Sequence, residues 1–320
     1  MNILIRGDDS VKYLLSSLLI FTSVCALTNL SRNNTVPSCN IVYSAEMITE
    51  STTQNTTENV QIKDTDKKSN DNYKIDTELE DYVIGVVAGE MSPSFPYEAL
   101  KAQAVAARTY AARAIAQNPS VDKKSLYQNY VSIHKMKSMW GDDYEKWYEK
   151  IKSVVYDTAG EVVEYDNEPI LAAFYSTSCG KTEDCQNVWS EDLPYLKSVD
   201  SEGDKYSPYY QKSIDVKKST LKKIYGSENI CVNQKTNAGY VKSVKIGDKI
   251  VDGDDIRTCF DLPSTAFDIT EKNDTITFTT KGYGHGVGMS QYGACYMANN
   301  GSTYTEILGH YYKGTIITKL

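Results

Sequence analysis

The sequence lacks any excess of positive charge: 34 Lys and Arg stand against 42 Asp and Glu, a formal net charge of −8. A positive stripe is what displaces counterions from a phosphate backbone, so this balance argues against sequence-independent nucleic-acid binding. A neutral glycan is not excluded. Phenylalanine is scarce, six residues against 25 tyrosines. Tyrosine joins a flat apolar face to a polar tip, which suits a sugar ring and equally suits amphipathic packing. No fixed-period repeat is present, which excludes a solenoid. The glycine loop near the C-terminus is not a dinucleotide fingerprint, because the third glycine of G-x-G-x-x-G would fall on Met289. Nor does Gly-Lys-Ser/Thr follow that loop, so it is not a phosphate loop. A G-x-S-x-G elbow is absent, and with it the signature of one large class of serine hydrolases.

What is present divides the chain in three. Tyr13 to Leu27 reads YLLSSLLIFTSVCAL without a charge, behind Arg6 and Lys12. The run is short for a full span, although Thr28 to Leu30 can extend it. A signal peptide is the rival reading, but Val24 and Ala26 imitate the cleavage pattern poorly. An uncleaved membrane anchor over 1–30 is the expectation, with the remainder outside the cytoplasm. Residues 31–75 include TESTTQNTTEN and too few bulky apolar side chains to offset the entropy of ordering, so a flexible stalk is expected. The folded part is expected over 76–320 as a single compact domain.

Within it, Leu79 to Glu90 carries apolar residues on helical spacing, and Pro93 and Pro96 then break the chain. Tyr97 to Ile115 is an alanine-rich helix whose small face admits a close neighbour. A further helix is predicted over Trp147 to Tyr156. Beyond Gly160 the pattern turns to strands: VVEY and ILAAFYS flanking Asp166 to Pro169, a second hairpin around Gly247-Asp248, and the strand DTITFTT. A last helix covers Ser290 to Ala298. The fold class is α+β, a helical N-terminal half and a strand-rich remainder enclosing a substrate groove.

Three segments carry candidate chemistry. Glu90 closes an apolar helix just before a proline break, where a carboxylate can project into a cleft while apolar neighbours raise its pKa, as a general acid requires. Periodicity alone does not separate it from Glu80, Asp81 or Glu98. The loop GYGHGVGMSQYG (282–293) presents His285 between glycines, where core packing is difficult, followed by Ser290, Gln291 and Tyr292 at a helix start. Tyr175 to Glu183, YSTSCGKTE, places small hydroxyls just past a strand end. These can bond a sugar or simply form a turn.

Together these segments resemble the sporulation stage II protein D family of lytic transglycosylases and amidase enhancers. The matching stretches are LEDYVIGVVAGEMSPSFPYEALKAQAVAARTYA, YSTSCGKTEDCQNVWSEDLPYLKSV and GYGHGVGMSQYGACYMANNGSTYTEILGHYYKGT, in the family's order between Leu79 and Thr315. The resemblance implies that Glu90 is the catalytic acid and that Gln103 and Arg108 support the site. It implies a groove lined by Ser176, Ser178, His285, Ser290, Gln291 and Tyr292. The implied substrate is peptidoglycan stripped of its stem peptides, and the implied partner is a cell-wall amidase of forespore engulfment. Cleavage with a single carboxylate is then natural, because the C6 hydroxyl of muramic acid can attack the anomeric carbon and leave a 1,6-anhydro ring. A non-catalytic, peptidoglycan-binding enhancer of an amidase is the alternative, and a zinc hydrolase ranks behind both.

The chain departs from the family pattern at Cys179, where Gly-Gly is common, and at Cys185. A disulfide between them is one account, suited to an extracytoplasmic chain. Zinc held by Cys179, Cys185 and His134, with His285 as the second candidate ligand, is the other and is taken as the expectation, in a bracing role beside Glu90. Cys231 and Cys259 form another possible pair. His310 is read as structural.

Overall fold

A computed structural model describes residues 76–189 and 191–320. The anchor expected over 1–30 and the stalk expected over 31–75 lie outside the described residues. Among the described residues no helix is long and apolar enough to cross a membrane.

Asp76 starts the first helix, α1 (Thr77–Glu90), by accepting from the backbone N–H groups of Glu78 and Leu79. Glu78 and Glu80 add negative charge at the positive end of the helix dipole. Nine of its fourteen residues are buried, as befits a helix with apolar residues on most sides. It stops at Met91, already extended, because Pro93 follows. Then α2 (Tyr97–Gln117) runs for 21 residues through the centre of the helical body. Ala99, Ala102, Ala104, Ala106, Ala107 and Ala111 are all fully buried, and their small volume lets neighbours on several sides approach this helix. α3 (Ile133–Trp140) and α4 (Tyr144–Asp157) complete the N-terminal half.

The helical body is keyed by one ion pair. Arg108 of α2 reaches Glu80 of α1 with both arms of its guanidinium, Nε to Oε1 at 2.9 Å and Nη2 to Oε2 at 2.6 Å. The same guanidinium donates to the carbonyls of Glu161 and Val155, while Glu80 Oε1 accepts from Gly160 N–H at 3.0 Å. Both side chains are sealed from solvent, 0 % and 1 % exposed.

β1 (Glu161–Tyr165) turns through Asp166 and Asn167, both at positive φ, into the short β2 (Glu168–Pro169). That two-residue turn is the expected hairpin, but its second arm is not ILAAFYS. Pairing runs only as far as Ile170, whose N–H donates to Val163 O. The chain then leaves this sheet, and Phe174–Tyr175 form β3, which joins a different partner. β11 (Ile316–Lys319) occupies the other edge of β1.

A strand-rich insert follows α5 (Gln186–Trp189) and the turn Glu202–Tyr206. It holds β4 (Gln211–Lys217), α6 (Lys218–Tyr225), β5 (Ile230–Lys235), β6 (Val241–Ile246) and β7 (Lys249–Asp252). α7 (Gly253–Cys259), β8 (Phe267–Lys272) and β9 (Thr275–Lys281) complete it. Two antiparallel three-stranded sheets, β4-β9-β8 and β5-β6-β7, bury Leu221, Val244, Ile246, Ile256, Phe267, Ile276 and Phe278 in a core of their own. The main core, built from residues 79–200 and 287–312, is a separate cluster. The insert closes its apolar faces on itself, which frees the helical body from covering them. After it come β10 (Met289–Ser290), α8 (Gln291–Asn299) and α9 (Tyr304–Tyr311), the last opened by a capping box between Thr303 and Glu306.

Replacing Glu80 by Leu leaves the Arg108 charge buried without its partner, so a loss of about 3–5 kcal/mol is expected in urea unfolding. Full retention of stability would show that the pair does not hold α1 to α2.

Candidate active site

β3 and β10 form a parallel pair, with Phe174 beside Met289 and Tyr175 beside Ser290. This pairing carries the hydroxyl turn after Tyr175 to the start of α8. Ser290 caps that helix, accepting from Gly293 N–H, and its hydroxyl lies 3.2 Å from Ser176 O. Tyr292 N–H donates to the same carbonyl. α8 in turn packs on α2, so Gln291 meets Gln103, Nε2 to Oε1 at 3.4 Å. Gln103 is fully buried, and its own Nε2 has no partner among the described residues.

Glu90 faces this junction. Burial pushes its carboxyl up to about 7, partly opposed by a hydrogen bond from Asn129 N–H at 2.7 Å and one from the Gln291 side chain. No acidic side chain is among the groups that shift it. Near neutral pH the carboxyl is thus about equally protonated and ionised, and can give a proton or take one.

Asn129 was not singled out by the sequence, and it does much of the positioning. Its side chain donates to Gly89 O at 2.5 Å while its backbone holds Glu90. The approach is possible only because α1 has glycines four residues apart. A Cβ on Gly89 would lie 1.9 Å from Asn129 O, and one on Gly85 would lie 2.2 Å from the Tyr130 ring. Two glycines on one face of an otherwise apolar helix were the available signal that another segment crosses there.

Asp204 also carries no sequence signal. It is fully buried in the turn Glu202–Tyr206, accepts from Ser178 N–H at 2.9 Å and from Ser290 Oγ at 2.6 Å, and burial raises its pKa. It ties the hydroxyl turn, the α8 cap and the entry to the insert at one point.

The fold therefore brings together Glu90, Gln103, Ser176, Ser290, Gln291 and Tyr292. Three other expected site residues are engaged elsewhere. Arg108 is committed to Glu80 inside the helical body. Ser178 is fully buried and turned toward Asp204. His285 accepts Val287 N–H at Nδ1 and therefore donates through Nε2 to Phe174 O, both at 3.1 Å. Burial and the Arg257 charge push its pKa down to about 4, so a neutral imidazole locks the glycine loop, with its ring between Tyr175 and Trp189.

The expected zinc site is not formed. Cys179 packs at the junction with the insert, its thiol toward Ala238 O at 3.4 Å. Cys185 belongs to the main core, its thiol toward Glu191 O at 3.0 Å. His134 stands exposed in the first turn of α3. Among the described residues no three His, Cys, Asp or Glu side chains converge to hold a metal ion, and no cofactor is indicated. The two thiols face different clusters and are not joined in a disulfide, and Cys231 and Cys259 are likewise unbonded.

The raised Glu90 pKa has a sign that unfolding can read. The folded state binds this proton more tightly than the unfolded chain, whose glutamate ionises near 4.5. Stability from the bound proton is complete below about 4.5 and is lost as pH rises to about 7. Glu90→Gln, which cannot ionise, should match the parent in Tm at pH 4 and exceed it at pH 8. A Tm difference constant across pH 4–8 would contradict the raised pKa.

Comparison with known proteins bears on this arrangement. A family model described as stage II sporulation protein matches residues 67–165, which include α1, α2, α4 and Glu90. Stage II sporulation protein D of Bacillus subtilis is 42 % identical over 255 residues, 75 % of this chain and 74 % of its own. An uncharacterised protein of Brachyspira hyodysenteriae is 34 % identical over 256 residues, 75 % of this chain and 66 % of its own. The amidase enhancer of Bacillus subtilis is 30 % identical over 297 residues, 73 % of this chain and 40 % of its own. With a likeness to stage II sporulation protein D that spans three quarters of its length, and a family-model match that includes Glu90, the chain belongs to the stage II sporulation protein D family.

Proposed function

We propose that this protein is a lytic transglycosylase that cuts peptide-free peptidoglycan strands during sporulation, with Glu90 as acid and then base. The observation that carries the reading is a carboxyl that burial holds near pKa 7, bonded by the amides of Asn129 and Gln291, with no second carboxyl among the described residues shifting it. Hydrolytic glycosidases ordinarily pair two carboxylates, one of them to activate water or to attack the sugar. A transglycosylase needs only one.

In the proposed reaction the Glu90 carboxylic acid protonates the glycosidic oxygen, O4 of the departing N-acetylglucosamine, at its bond to muramic acid C1. That bond breaks and leaves Glu90 ionised. The C6 hydroxyl of the same muramic residue closes on C1, and its proton returns to Glu90. No water enters, and the products are a 1,6-anhydro end and a new 4-hydroxyl end. Asn129 N–H and the Gln291 amide stabilise the intervening carboxylate. On this reading the domain works outside the cytoplasm on an N-terminal anchor, alongside an amidase that strips stem peptides from the strands.

The resemblance to an amidase enhancer favours one second reading, a module that binds glycan and stimulates an amidase without cutting. Incubation of the full-length protein with peptide-free strands, with products read by mass spectrometry, separates the two. Anhydro-muramic ends that fall by about a thousandfold or more with Glu90→Gln are expected, since the step loses its acid. Ordinary reducing ends would mean hydrolysis, and retention of strands without products would establish the enhancer. The kcat/KM profile should fall as pH rises above about 7, where Glu90 loses its proton.

A further inference from the structure

Tyr209 lies on the strap between the turn Glu202–Tyr206 and β4, and it is 54 % exposed. Single exposed aromatics are ordinary on a protein surface. This one is braced. Its N–H donates to Ser207 Oγ at 3.1 Å, that hydroxyl is bonded to Thr177 Oγ1 at 2.8 Å, and Tyr210 N–H donates to Ser207 O. Its ring sits 5.9 Å from that of Tyr283, tilted by 51°, and 5.9 Å from that of Tyr292, edge to face at 73°. Tyr292 in turn packs edge to face on Phe95 at 5.1 Å. The row of rings thus runs from the proline break behind Glu90 to the mouth of the insert. Tyr292 directly follows Gln291, whose amide bonds Glu90.

We propose that Tyr209 is a stacking platform for one pyranose ring of the glycan, beside the residue held at Glu90. The inference rests on the glycan-cleaving or glycan-binding reading above. The axial C–H bonds of a pyranose form an apolar face of partial positive charge, and an aromatic ring offers the matching negative face. A ring already fixed by two neighbours and its own backbone loses little freedom when the sugar docks. Tyr209 transfers no proton. It sets the register of the strand relative to Glu90 and acts as a positioning residue through its ring, not its hydroxyl.

The test uses the full chain in a Glu90→Gln background, so that peptide-free strands bind without turnover, with affinity measured by calorimetry. Tyr209→Phe keeps the affinity to within about twofold, and Tyr209→Ala weakens it about tenfold, the scale of one aromatic contact. Tyr156→Ala, an exposed tyrosine on α4, changes nothing. In the Glu90 chain, Tyr209→Ala raises KM more than it lowers kcat and leaves the pH limb near 7 in place. Equal affinity of Tyr209→Ala and its parent, with circular dichroism unchanged, overturns the platform and leaves the proposed function standing. Failure of the parent either to bind or to cut strands would overturn both.

Discussion

The Arg108–Glu80 pair is the constraint on which the rest of the helical body hangs. Desolvating two charges costs several kcal/mol for each, so the pair contributes little net stability when whole and much loss when broken. What it supplies is registration. A bidentate fork tolerates little sliding, and it fixes α1 against α2 while its remaining bonds take in the end of α4 and the start of β1. Glu90 stands at the far end of the same α1. Its position is therefore inherited from a charge pair ten residues earlier on a rigid rod, and does not depend on the loop that follows it.

Once α1 is fixed, the acid is surrounded by amide groups from distant parts of the chain. Asn129 arrives across two glycines of α1, and Gln291 arrives on the first turn of α8, fixed by the Ser290 cap and by Asp204 beneath it. Amides are neutral, so they orient a carboxyl without forcing it to stay ionised, as an arginine would. That distinction explains why Arg108 serves the framework and stays away from Glu90. It also explains how burial can dominate the Glu90 pKa.

Much of this was legible in the residues. The proline break after Glu90, the alanine face of α2, the Gly247-Asp248 turn and the helix after Ser290 all follow from local chemistry, and the structure has each of them. The clustering of Ser290, Gln291 and Tyr292 at a helix start was legible because the glycine loop marks it. Other features could not be read. His285 looked available because glycines flank it, yet its ring nitrogens are both used by backbone groups of its own neighbourhood. Cys179 and Cys185 are close in sequence but pack in different clusters, which spacing does not reveal. Arg108 shares a motif with the site and faces away from it. Asp204 depends on a partner 86 positions on, and no local pattern encodes that distance.

The parallel pairing of β3 with β10 has a consequence in time. It joins segments whose hydroxyl contact, Ser290 to Ser176, spans 114 positions, and the Gln291–Gln103 contact spans 188. Contacts that distant must close large loops before they return any stability, so they form late. As the chain is synthesised, α1 and α2 can assemble with Glu90 already exposed on them, while the amide that completes its surroundings is still unmade. The strand-rich insert, with a core of its own, can fold in the interval. Glu90 therefore gains its contact with Gln291 only when the C-terminal segment docks, so the order of synthesis would itself delay the proposed chemistry.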